Sequence, residues 1–228
     1  RDKLGWTFRG SAYCQLIRQA NNVKRLAWAR DHSAEAENKG FEDVLWTDES
    51  SIMLQCHRRF SCRKKGAPPK PKPRAKHPCK VHVWAGISCQ GKTPIVIFDG
   101  IMNGAGFIQV LEEGLLPYLD KVNAHPRFMQ DNDPKHTSRR VGMWLEEKNI
   151  NWWKTPAESP DLNPIENLWH ELKEYIRRVI KPTTKQQLID GILQFWETVN
   201  IAKCKKYVHH LTKVVPKVID MDGGPTGY

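Results

Sequence analysis

Val44-Leu45-Trp46-Thr47-Asp48-Glu49-Ser50 reads as a buried strand, rich in β-branched and aromatic residues, that runs into a carboxylate. Arg127-Phe128-Met129-Gln130 repeats the pattern, a short strand leading to Asp131 and the turn Asn132-Asp133-Pro134-Lys135-His136. A third acid, Glu166, falls in the first turn of an amphipathic helix. Asn163 is its expected cap and Pro164 its first residue, with Leu168, Leu172, Tyr175, Ile176 and Val179 along one face. Between Asp131 and Glu166 lie 34 residues. Two acids at strand ends and one on a helix suit a pair of hard divalent cations, which prefer oxygen ligands. Paired metals are the usual means of in-line displacement at phosphorus, so the pattern predicts an enzyme that cuts and joins DNA.

Outward from these segments, the other elements follow from periodicity. A helix is predicted from Tyr13 to Glu37, and strands at Val81–Ile87 and Ile95–Phe98 with Gly91-Lys92 in the turn between them. Ser51 to Gln55 is read as continuing into a paired strand. Phe107–Leu119 and Thr137–Lys148 read as helices, the first weakened near its end by Gly114 and Pro117, and Ile150–Trp153 as a strand. Two helical segments are expected at 184–199 and 201–213. Several strands followed by strand–helix alternation predict an α/β fold with helices on the faces of a sheet.

The 228 residues suffice for one core with extensions, and no run is apolar enough to span a membrane. The first residue is Arg1, which suggests a fragment. The six cysteines show no C-x-x-C pair, which argues for reduced thiols; a zinc site at Cys56, Cys62 and Cys79 with His57 and His77 is only weakly indicated. The net charge of +11 has one source: from Ser50 to Phe98 there are 11 Lys and Arg and no acid, while the rest of the chain holds 25 basic and 25 acidic residues. Ten of the 11 lie between Arg58 and Lys80, where Pro68, Pro69, Pro71, Pro73 and Pro78 impose extended backbone. An extended basic arm is suited to the phosphate backbone of nucleic acid.

Each acid has a plainer explanation, and a helix-dipole role alone would account for Glu166. Asp133 is expected to cap a turn, Asp161 to order the loop before Glu166, and Glu49 to point away from Asp48. A hydrogen bond to its own turn is the favoured role for His136, with contact to a scissile phosphate the other. Asn132 and Asn167 flank the acids and would orient ligands.

Taken together, Trp46-Thr47-Asp48-Glu49-Ser50, Gln130-Asp131-Asn132-Asp133-Pro134-Lys135-His136-Thr137-Ser138 and Ser159-Pro160-Asp161-Leu162-Asn163-Pro164-Ile165-Glu166-Asn167-Leu168-Trp169 resemble the mariner superfamily of DNA transposases. The 34-residue gap and a Glu as third acid match its Tc-type branch, which includes Sleeping Beauty, and Gly5-Trp6-Thr7-Phe8-Arg9-Gly10 resembles the family's interdomain linker. The resemblance implies a ribonuclease-H-like mixed sheet flanked by helices. It implies a catalytic and metal-binding triad of Asp48, Asp131 and Glu166 holding two Mg2+, with Mn2+ able to substitute. Asn132 and His136 would support the site. Arg58, Arg59, Arg63, Lys64, Lys65, Lys70, Lys72, Arg74, Lys76 and Lys80 would contact DNA phosphates, supplying affinity rather than sequence.

The implied reaction is cut-and-paste transposition into TA dinucleotides, by a homodimer on double-stranded DNA in the nucleus. The implied organisation is a linker and helix at 1–40, a catalytic core at 41–182 bearing the arm at 58–80, and a helical extension at 183–228. The family's two helix-turn-helix modules precede the linker and are not found in residues 1–228, so this stretch is expected to lack recognition of element ends. Two other readings compete: a domesticated relative that binds DNA or assembles without transposing, and a ribonuclease acting on RNA–DNA hybrids.

Overall fold

The computed structural model describes residues 16–38, 40–54, 79–100, 102–122 and 125–227. The linker motif and the arm up to Pro78 lie outside the described residues, as do Cys56, Cys62, His57 and His77.

One six-stranded mixed sheet organises the chain. Its central strand β1 (Val44–Met53) pairs antiparallel with β2 (Lys80–Ser88), whose other edge carries β3 (Gly91–Lys92) and β4 (Val96–Phe98). On the opposite side of β1 the strands β5 (Arg127–Gln130) and β6 (Trp152–Lys154) add in parallel. Eight helices cover the sheet among the described residues: α1 (Gln19–Asp31), α2 (Ser33–Glu37), α3 (Gly104–Val122), α4 (Arg139–Glu147), α5 (Ile165–Tyr175), α6 (Lys185–Glu197), α7 (Ile201–His209) and α8 (Leu211–Asp220).

The two-residue period of the strands divides the core into two layers. Leu45, Trp84 and Phe128 face α3 and α4, packing with Phe107, Leu111 and Trp144. Val44, Trp46, Val83 and Met129 face the other way, toward α1, α5 and the three C-terminal helices. Trp152 joins the first layer and Trp153 the second, as alternation along one strand requires. The same parity sends Asp48 toward α5 and Glu49 toward α3.

Several boundaries depart from periodicity. The helix predicted over 13–37 starts at Gln19 and breaks at His32, which leaves helical geometry (φ −109°, ψ 11°). There its ring stacks on Trp28 at 4.4 Å and meets the edge of Trp153 at 5.4 Å. Gly91 and Lys92 form β3 rather than a turn, because Gly91 (φ 135°) lets the hairpin close at Cys89 and Gln90. A π-helical turn at Ile176–Ile180 continues α5 and carries Val179 off the apolar face, leaving it 61% exposed. The last stretch makes three helices where two were expected, since a one-residue break at His210, itself in αR geometry (φ −62°, ψ −23°), separates α7 from α8.

Gly114 and Pro117 do not end α3, which runs on to Val122. Gly114 instead permits close approach to the sheet: a Cβ there would lie 2.4 Å from Trp84 Cζ3. Gly114→Ala is therefore expected to destabilise by about 1–3 kcal/mol through overpacking, despite alanine's better helix propensity. Urea denaturation measures this, and an unchanged or raised midpoint would refute it.

Candidate active site

The parallel pairing of β1 and β5 stops at Trp46 and Met129, so Asp131, just past β5, lies beside Asp48, which sits midway along β1 rather than at its end because β2 keeps β1 paired to Met53. α5 crosses the sheet there on the Trp46 side. Asp48, Asp131 and Glu166 consequently line one cavity of about 470 Å³, whose opposite wall is the loop from Thr155 to Pro160. The three acids predicted from sequence are thus brought together by the fold.

Neighbouring side chains fix each acid. Trp169, one helical turn beyond Glu166, donates its indole N–H to Asp48 Oδ2 at 3.1 Å. Thr47 donates to the carbonyl of Met129 at 2.6 Å, bolting β1 to β5 beside the site. Asn163 is not the helix cap; Pro164 occupies that position, and Asn163 donates from Nδ2 to the carbonyl of Thr47 at 3.2 Å. Its Oδ1 is buried on the cavity wall without a partner. Asn132 donates to the carbonyl of Thr155 at 3.1 Å, holding the opposite loop.

His136 does not bond its own turn through its ring. Its Nδ1 lies 2.5 Å from Asp131 Oδ1 and its Nε2 lies 2.8 Å from Glu49 Oε1, so the ring bridges two carboxylates while packing at a tilt against Phe107, centroids 4.1 Å apart. Lys135 completes this charged cluster, 3.0 Å from both Glu49 and Asp133. Asp133 accepts the amide of Lys135 and so stabilises the turn, as expected. Lys80, alone of the predicted phosphate contacts, lies among the described residues; it is exposed and lines a second hollow with Glu49, His82 and Lys135.

These contacts set the charges. Burial, then the adjacent Glu166 carboxylate, raises the Asp48 carboxyl well above the usual range. Burial raises Glu166 as well, against the pull of Lys173 and a hydrogen bond shared with Asp48. Asp131 behaves oppositely: burial opposes its ionisation, but the hydrogen bond and charge of His136 outweigh it and hold Asp131 below the ordinary carboxylate value. Burial likewise opposes the charge on His136, yet its bonds to Asp131 and Glu49 push its pKa up to about 9. The site at neutral pH is an ion pair beside two carboxyls that resist simultaneous ionisation.

That asymmetry carries a pH dependence. A cation held by Asp48 and Glu166 would require both ionised, so its binding would displace protons held more tightly than on free carboxyls. Mg2+ affinity is expected to climb with pH above the ordinary carboxylate range, by up to about tenfold per pH unit while one proton leaves per ion, then level off. Titration calorimetry in buffers of different ionisation enthalpy measures both affinity and proton release. Affinity that is flat across pH would contradict the raised pair.

A family model described as DDE superfamily endonuclease matches residues 43–189, well over half of the chain. The chain belongs to the DDE superfamily endonucleases. Within that family it is a Tc/mariner-type DDE transposase catalytic domain. It is 29% identical over 221 residues to the transposable element Tcb2 transposase of Caenorhabditis briggsae, spanning 93% of this chain and 80% of that protein. It is 34% identical over 151 residues to the Tc3 transposase of Caenorhabditis elegans, spanning 65% and 46% respectively. A Mos1 transposase solved as a paired-end complex with the left transposon end superposes with a TM-score of 0.83 at 18% identity, over 97% of this chain and 68% of that one. That likeness establishes the ribonuclease-H-like mixed sheet for this DDE chain.

Some contributors to the site escaped sequence reading. Asn163 reads from sequence as a cap and Trp169 only as the end of a motif, yet Trp169 bonds Asp48 and Asn163 ties down Thr47, and their spacing of three residues either side of Glu166 is the available signal. Glu49 and Lys135 carry no signal of their own.

Proposed function

We propose that this chain catalyses metal-dependent cleavage of DNA strands and their transfer to a new site, with Asp48, Asp131 and Glu166 as the catalytic triad. The observation that carries the reading is the convergence of these three acids on one cavity from β1, the end of β5 and the first turn of α5. The donor set fits hard divalent ions: it is all oxygen and acidic, with the unpartnered Asn163 Oδ1 beside it. Asp48, Asp131 and Glu166 would hold two Mg2+, or Mn2+ in their place. Bound there, the ions supply activation of water or of a DNA 3′-hydroxyl and neutralisation of charge at the leaving oxygen.

The chain's own residues prepare the site. Trp169 holds Asp48 in place through its indole N–H. Asp48 and Glu166, both raised by burial, would have to be ionised together to admit cations. His136 keeps Asp131 ionised and can remain on Glu49 when Asp131 turns toward the cavity. The arm of Arg58 to Lys80 would track the phosphates of double-stranded DNA, the Mos1 relative being a paired-end complex with its transposon end. A homodimer acting in the nucleus, with insertion at TA, completes the reading. The organisation into a linker and helix, a catalytic core and a C-terminal extension belongs to the same proposal.

A second reading, a domesticated DNA-binding or assembly module, is favoured by one observation: Asp131 is engaged by His136. Anomalous diffraction from crystals soaked in Mn2+ separates the two. The expected result is a peak among Asp48, Asp131 and Glu166 with Asp131 released from His136. No peak, with that pair intact, would favour the module.

A further inference from the structure

Far from the acid cavity, among the described residues, one group of three His, Cys, Asp or Glu brings its donor atoms within 4.8 Å of one another: Glu42, Cys89 and His209. Each comes from a different part of the chain. Glu42 belongs to the 3-10 turn Gly40–Asp43 that leads into β1, Cys89 to the β2–β3 turn, and His209 ends α7. Along the β1–β2 register, Ala85 faces Asp48 and Ile87 faces Trp46, so Cys89 lies toward the start of β1, away from the catalytic end. At roughly 3.3 Å per strand residue, four residues set the two sites more than about 10 Å apart.

The distances suit shared ligation. Cys89 Sγ lies 3.7 Å from His209 Nε2, and the same nitrogen lies 2.9 Å from Glu42 Oε1. A tetrahedral zinc with bonds of about 2.3 Å to sulfur and 2.0–2.1 Å to nitrogen sets those two donors roughly 3.5 Å apart. Sulfur and nitrogen are therefore already spaced for one ion, and the Glu42–His209 contact need open by only about 0.5 Å. Glu42 is exposed and has room to make that movement, whereas Cys89 is buried and fixed.

We propose that Glu42, Cys89 and His209 form a zinc site that clips the C-terminal helices to the start of β1 and the β2–β3 turn. A thiolate, an imidazole and a carboxylate are a borderline-soft set, suited to zinc over magnesium, with a water as fourth ligand. On binding, the Cys89 S–H gives its proton to solvent and the sulfur lone pair goes to the metal, with no change of oxidation state. Such a site differs in chemistry from the all-oxygen catalytic cavity and would coexist with it.

The test uses Co2+ as a spectroscopic stand-in for zinc, added to the 228-residue chain in excess Mg2+ to fill the carboxylate site. Thiolate-to-cobalt charge-transfer absorption is expected at one ion per chain, displaced by Zn2+. Cys89→Ser should abolish it and Asp131→Asn should leave it intact. His209→Gln, at a half-buried position tolerant of change, should lower Zn2+ affinity at least about tenfold with an unaltered circular dichroism spectrum. Zn2+ should also raise the thermal midpoint of the parent chain and not of these two site variants. Absence of the charge-transfer band, or its survival in Cys89→Ser or His209→Gln, would overturn the proposal.

Discussion

Asp131→Ala is expected to lower Mg2+-dependent cleavage of duplex DNA by at least about a thousandfold, a loss typical of removing a charged group that acts only in the transition state. Of the three acids, Asp131 alone is kept ionised by its surroundings, because His136 and the amide of Asp133 favour its charge. Its side chain is 58% exposed, so the fold should survive. Removing it leaves the ring of His136 bonded to Glu49 and packed against Phe107. The variant should stay folded while losing about 1–3 kcal/mol, because the buried His136 ring gives up one of its two charge-assisted hydrogen bonds. Cleavage assays on duplex DNA and on RNA–DNA hybrid, run side by side, check the rate and the substrate class together. Retained Mg2+-dependent cleavage would remove the triad assignment, and a preference for hybrid would revive the ribonuclease reading.

Arg25→Ala is expected to cost about 3–5 kcal/mol of stability, a large part of the 5–15 kcal/mol typical of a domain. Arg25 is fully buried on α1, and its guanidinium grips both oxygens of Asp161, at 2.8 and 2.7 Å. It also donates to the carbonyl of Gly223 at 2.8 Å, where the tail presses so closely on Asn22 that a Cβ at Gly223 would lie 2.0 Å from its carbonyl oxygen. Thr226 donates to Asp161 as well, at 2.8 Å. One arginine thus ties the first helix and the C-terminal tail to the turn Pro160–Leu162, which delivers α5 and Glu166 to the cavity. Truncation leaves a carboxylate with its main counter-charge gone, and Lys cannot restore the two-pronged contact. The same variant should weaken Mg2+ binding, because the loop that positions Glu166 loses its anchor. Denaturant unfolding and metal titration read the two effects. A loss below about 1 kcal/mol would show the pair to be no better than a surface salt bridge.

Local rules made much of this protein legible before any fold was drawn. Alternation along β1 separates Asp48 from Glu49, and along β6 it separates Trp152 from Trp153, because side chains on a strand must leave by opposite faces. The apolar runs located Asp48 and Asp131, although only Asp131 follows a strand end and Asp48 sits midway along β1; the Ser159–Trp169 motif located Glu166, since strand and helix signals depend on neighbours a few residues apart. Asp161 was rightly placed as an ordering residue, though its partner was not foreseen.

What sequence could not supply are relations between distant segments. Arg25 and Asp161 are separated by 136 positions, and no periodicity links them. His136 was read as serving its own turn; the tertiary fold gave it Glu49, 87 positions away, and so turned an ordinary histidine into the group that holds Asp131 charged. Gly114 read as a weak point in α3 until Trp84 was brought against it. The sequence by itself determined which residue types stand at strand ends and helix starts, because those depend on short-range geometry. Only the tertiary structure decided which charges meet and how they share protons, because burial and Coulomb energy depend on distances through space that chain order does not encode.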